Sequence, residues 1–100
     1  MAAPAWAQAD VAQKVRALNE QALEDYDAAD FHSAKLWLLE AIGIGRKAGL
    51  ANDPVMARTY VNLAAVYLAG FRDRQAAVRY LGQALTIDPN VQLTRSLASP

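Results

Sequence analysis

Between residues 60 and 89 the apolar and small side chains recur at three- and four-residue steps, as Tyr60, Leu63, Ala64 and Tyr67 and then as Ala77, Leu81 and Ala84. Steps of that size bring side chains to one side of an α-helix, so the pattern predicts two short amphipathic helices. Gly70 is expected to end the first near Ala69. A turn containing Asp73 follows, Asp73 or Arg74 opens the next helix, and Asp88-Pro89 blocks its continuation. Alanines 64, 77 and 84 let two backbones approach, while Tyr67 and Leu81 fill the space beside them.

The same series stands upstream. Ala34, Leu38 and Ala41 precede Ala77, Leu81 and Ala84 by 43 residues, and Leu18 and Ala22 precede Tyr60 and Ala64 by 42. The change of offset predicts a one-residue insertion in the Gly70–Asp73 turn. The upstream copy is weaker, because Gln21 and Asp25 take the places of Leu63 and Tyr67. Its first helix is expected from Asp10, as N-cap with Gln13 completing a capping box, to about Asp27. Val11, Val15, Leu18 and Ala22 form the inner face, with Leu23 and Tyr26 slightly rotated from it. Its second helix is expected from Phe31, plugging the turn, to Ala48, with Gly49 as the stop. Asp53 as N-cap and Pro54 at the first helical position open the third helix. Gly43 and Gly45 each cost about 1 kcal/mol inside a helix. Close approach of the third helix explains them, or else flexibility does.

With these residues in view, the chain resembles the tetratricopeptide (TPR) repeat family. That pattern sets a large aromatic, Leu, Gly and Tyr on one helix, Ala and Phe on the next, and Pro after it. Here it reads Tyr60, Leu63, Ala64, Tyr67, Ala77, Leu81, Pro89, with Ala64 in place of Gly and Leu81 in place of Phe. The period exceeds the family's usual value of about 34 residues, and the excess is read as a longer second helix and connection between Gly43 and Pro54. The resemblance spans roughly Val15 to Pro89. It implies an all-α fold of two antiparallel helix hairpins, 10–49 and 53–88, stacked as a short right-handed solenoid. A plain four-helix bundle is the competing fold.

In that family the first helix of each pair lines a concave groove. Carried over residue by residue, the resemblance implies a partner-binding surface of Arg16, Asn19, Leu23, Tyr26 and Asp27 from the first copy. The second copy contributes Arg58, Val61, Ala65 and Leu68. Apolar at its centre, such a groove suits a short helical or extended peptide. The clamp that some members place on a terminal carboxylate is not implied, since Asn19 alone fits it and Leu23 replaces a polar partner. The alternative is a self-associating unit. Two repeats stand where about three are normally needed, and Leu36, Trp37 and Leu39 make the second helix apolar nearly all round. Those three either pack on neighbouring helices or form an exposed self-association patch.

Composition narrows the chemistry. With 100 residues, 54% hydrophobic and 20% charged, the chain makes one small domain. Zero net charge argues against broad nucleic-acid or anionic-membrane binding. The first fifty residues carry five basic and seven acidic side chains and the last fifty carry five and three, leaving the halves at −2 and +2. This is a mild surface asymmetry, or a basis for head-to-tail stacking. Glu20, Glu24, Asp25, Asp27 and Asp30 crowd a helix C-terminus, where acids oppose the macrodipole. They are either solvated or met by a partner's cation. Without cysteine there is neither a disulfide framework nor a thiolate metal site. His32 and Ser33 are neighbours in sequence and do not face each other on a helix, so a catalytic pair is not expected. No phosphate loop or calcium loop is present, and neither cofactor nor metal is expected.

Both ends lie outside the repeat. Residues 1–9 read as a flexible arm or as the remnant of a signal peptide, with Ala7-Gln8-Ala9 as a cleavage pattern before Asp10. The second option places the protein in the bacterial periplasm or another exported compartment, the first leaves it in the cytoplasm. No stretch approaches the ~20 apolar residues of a membrane span. In the tail, 90–100, Val91, Leu93 and Leu97 could cap the last helix pair by lying across the fourth helix, or else the natural protein continues.

Overall fold

Three of the four helices open on an aspartate. The computed structural model describes residues 4–93, and its regular structure is all helical: α1 (Ala5–Asp27), α2 (Phe31–Lys47), α3 (Pro54–Phe71) and α4 (Arg74–Ile87). Asp30, Asp53 and Asp73 accept backbone N–H groups from Ser33, Val55 and Ala76 at 3.3, 2.9 and 3.0 Å. Each satisfies a donor that the first helical turn leaves without an intrahelical partner. Asp30 and Asp73 are 43 residues apart, so this cap belongs to the repeat. Asp30 is thus the start of α2 rather than one more acid at the end of α1.

The first helix begins earlier than its capping signal predicts. It opens at Ala5 after Pro4, and Asp10 lies exposed within it and caps nothing. A helical Ala5–Ala9 replaces the expected flexible arm. The alanines there favour helix, and the Gln8 side chain donates to the Ala48 carbonyl at 3.0 Å, tying this turn to the end of α2. Met1 to Ala3 lie outside the described residues.

Helices α1 and α2 end alike. The N–H groups of Ala29 and Asp30 reach the carbonyls of Tyr26 and Asp25, and those of Gly49 and Leu50 reach Arg46 and Gly45, all between 2.8 and 3.1 Å. Each motif turns on one left-handed residue, Ala29 at φ 60° and Gly49 at φ 81°. Glycine adopts that conformation freely, whereas the Cβ of alanine crowds the following carbonyl. Ala29→Gly should therefore raise stability by about 0.5–1 kcal/mol. A thermal melt checks it, and an unchanged or lower midpoint counts against strain at this cap.

Helix α3 does not stop at Gly70. It runs to Phe71 and ends on Arg72 at φ 51°. The N–H groups of Arg72 and Asp73 both point to the Tyr67 carbonyl, Asp73 at 3.0 Å. In the first copy the counterpart of this bond joins Asp30 to Asp25, with one residue fewer between donor and acceptor. The inserted residue is taken up in a widened last turn of α3, and the aspartate cap keeps its place.

Helix α3 is central. It packs on the other three, and residues 59–66 are all buried, whereas no Cα of α4 comes within 8 Å of α1 or α2. Counterpart positions share their burial: Leu18 with Tyr60, Ala22 with Ala64, Ala34 with Ala77, Ala41 with Ala84. One pair differs. Leu38 is fully buried while Leu81 is half-buried. The space beside Tyr67 is filled instead by Tyr80, stacked on Tyr67 at 5.5 Å and on Tyr60 at 6.1 Å. Of the two α2 glycines, Gly45 meets α3, since a Cβ there would lie 2.5 Å from Met56 Sδ, and Gly43 has nothing within 4 Å. Gly70 makes room for Phe31, whose ring also stands edge-on to Tyr26 at 5.5 Å.

Candidate functional site

Where α1 crosses α3, the contact is polar at its centre. Asn19 Nδ2 donates to Val15 O at 2.9 Å within its own helix and to Thr59 Oγ1 at 2.8 Å, and its Oδ1 accepts from Asn62 Nδ2 at 2.8 Å. Thr59 in turn donates to Val55 O at 2.8 Å. All three side chains are buried, and burial is tolerable because these groups bond one another.

This seam corrects the expected groove. Asn19 is spent on α3, Val61 lies in the core cluster with Val15 and Leu18, and Ala65 is fully buried. None of the three offers surface to a partner, because α3 is enclosed by its neighbours along this length. The other expected residues stay accessible: Arg16 and Asp27 are exposed, and Leu23, Tyr26, Arg58 and Leu68 are half-buried.

One end of this surface is already in use. After α4 the chain turns at Asp88, which accepts Asn90 N–H on its side chain at 3.0 Å and Val91 N–H on its carbonyl at 3.1 Å. Val91 packs against the cluster containing Ala57 and Val61, and the Arg58 guanidinium donates to the Gln92 carbonyl. Gln92 in the described part of the tail therefore meets α3 through Arg58, and Val91 packs on a cluster that includes Ala84 of α4. Leu97 lies outside the described residues. Partial burial lowers the Arg58 pKa from its usual value.

No family model matches the chain, and no curated protein or solved structure matches it either.

The candidate self-association residues divide in two. Leu36 and Leu39 are exposed on the outer side of α2, where Ser33, Leu36, Trp37 and Glu40 line an open hollow of about 190 Å³. Trp37 is partly out but is not unpartnered, because its Nε1 donates to Asp25 Oδ2 at 2.8 Å. By the two offsets, Trp37 and Asp25 are the counterparts of Tyr80 and Tyr67. The first copy thus joins its helices with an indole–carboxylate bond where the second uses stacked rings. Asp25 also accepts from Gln21 at 3.3 Å, so two of the five crowded acids, Asp25 and Asp30, have partners within the chain. His32 is exposed at the start of α2.

Periodicity alone does not single out the polar Thr59 or Asn62. Nor does it mark a cleft of about 240 Å³ between the end of α2 and the end of α4, lined by Arg46, Asn52, Tyr60, Gln83 and Thr86 among others. Tyr80 stands three residues after Ala77 and four before Ala84, on the same helical face, and is the counterpart of Trp37 at the offset of 43.

Proposed function

We propose that the chain is a non-enzymatic protein- or peptide-binding module, a two-repeat TPR-like right-handed solenoid of stacked helix hairpins. The matched burial of the two copies and their matched aspartate caps support the architecture. One observation carries the function: a stretch of the chain's own backbone lies against α3 with its Gln92 carbonyl on Arg58. A face that accepts non-helical backbone in this way suits an extended peptide. The partner surface is Leu23, Tyr26 and Leu68, with Arg16 and Asp27 at the edge and Arg58 at the end the tail occupies. Asn19, Val61 and Ala65 hold it in place from beneath.

Panning a displayed random-peptide library tests this reading. The wild-type chain should enrich apolar peptides, and Tyr26→Ala or Leu68→Ala should weaken them by roughly ten-fold or more while the fold still melts cooperatively. Equal binding by the variants sinks the groove. The second reading, self-association, is favoured by the exposure of Leu36, 52%, and by the open space at Gly43 on the same side of α2.

An exported location belongs to the same reading and rests on the Ala7-Gln8-Ala9 pattern. Those residues lie inside α1, so cleavage there would have to precede folding. No described helix is long and apolar enough to cross a membrane.

A further inference from the structure

Helix α2 shows how this chain covers the side of a helix that faces onward along the repeat. Phe31 lies against Gly70, the Lys35 ammonium stands 4.8 Å from the Phe71 ring centroid, Ile42 packs on both core clusters, and Gly45 backs onto Met56. Adding the offset of 43 to these four gives Arg74, Val78 and Leu85 on α4 and Asp88 at its C-terminal cap, with Leu81 in their midst as the counterpart of Leu38. On α2 the stripe is covered by α3. On α4 no described helix covers it, and Val78 is 70% exposed and Leu85 41%. Of the described residues after α4, Gln92 is held by Arg58 of α3.

The opposite end of the repeat is built differently. Met56, Leu63, Tyr67 and Gly70 include α3's contacts with α2 and the second pair. Their counterparts are Lys14, Gln21 and Asp25 on α1 and Ala28 at its C-terminal cap, which are polar or small. A head-to-tail contact would therefore press an apolar stripe on a hydrated one.

The α4 stripe is complementary to itself. In chain order it reads Arg74, Val78, Leu81, Leu85, Asp88: a cation at one end, a carboxylate at the other and branched apolar side chains between. A second copy laid antiparallel about a two-fold axis near Leu81 sets Arg74 opposite the partner's Asp88, Val78 opposite the partner's Leu85, and the two Leu81 side chains together. A parallel copy would oppose Arg74 to itself. Gly82, where a Cβ would meet nothing within 4 Å, adjoins the axis and leaves room for close helix approach. We propose that the protein forms an isologous homodimer in which the α4 stripes of two copies pack antiparallel. The apolar contacts supply the affinity, and the end charges, each worth little when exposed, set the orientation.

Sedimentation of the full chain, with single-cysteine cross-linking, tests the pairing. The wild type should run as a dimer. Val78→Asp and Arg74→Asp should each raise the dissociation constant by roughly ten-fold or more, Arg74→Asp with Asp88→Lys should recover part of the loss, and Leu36→Glu should change nothing. Val78 is mostly outside the core, so its variant keeps the fold, which circular dichroism verifies. The chain has no cysteine, so Gly82→Cys gives one thiol near the axis and a short bis-maleimide should join two copies through it. A thiol from Leu36→Cys should stay unjoined. A monomer at the highest attainable concentration overturns the proposal. So do a dimer lost with Leu36→Glu but not with Val78→Asp, and a monomer in which the Gly82→Cys thiol is shielded from maleimide, which would place the chain's own terminal residues on the stripe.

Discussion

Asn19→Ala should cost about 2–4 kcal/mol, a drop in melting temperature of roughly 10 °C or more for a domain of this size. The substitution removes one acceptor of the Asn62 amide and the donor to Thr59, and leaves a void between α1 and α3 where nothing is exposed. An unmet buried polar group costs about 1–3 kcal/mol by itself, and the void adds to it. Thr59→Val keeps the shape and loses only the hydroxyl. Combined with Asn19→Ala it should cost less than the two changes separately, because the Asn19–Thr59 bond can be broken once only. Thermal or urea unfolding of the four proteins closes the cycle, and strict additivity would show that no such coupling exists.

Gly70→Ala should destabilise by about 1–3 kcal/mol even though alanine is the better helix former. The new methyl would fall on the Cβ and Cγ of Phe31, close to the backbone of α2, where the ring cannot swing away without leaving Tyr26. Gly43→Ala is the control. The same chemical change in the same kind of helix meets open space, and should stabilise by about 1 kcal/mol. Opposite signs in one urea titration separate close approach from propensity. Equal effects would mean that Phe31 relaxes at no cost.

Much of this architecture is legible in the order of residues. Ala34, Leu38 and Ala41, with Ala77 and Ala84, mark the buried lines of α2 and α4, because small and large apolar residues at helical steps fall on one face. The insertion near Gly70–Asp73 is readable from the shift between 42 and 43. Helix ends are less so. Asp10 carries a good capping signal, yet Ala5 to Ala9 continue the helix because Gln8 finds Ala48, 40 residues away. Gly70 has the look of a stop, and the contact that requires it comes from another helix.

The candidate surface is harder still to read. Helical geometry says which way a side chain points but not what stands in front of it, so Val61 and Ala65, correctly placed on one side of α3, pass for accessible in the sequence when they are enclosed. Asn19 points at α3 and not at solvent. The weakness of the first copy also has a physical cause. Gln21 and Asp25 differ from Leu63 and Tyr67 because no described helix covers this row with apolar side chains: Gln21 is exposed, and Asp25 is met by the polar Gln21 amide and Trp37 indole N–H.

That polar row bears on how large the proposed assembly can become. A rod with an adhesive patch at each end polymerises, since every added unit renews the patch it consumed. If the α4 stripes pair as proposed, the polar row of α1 offers no second apolar patch, so association stops at two and leaves no growing tip for a filament.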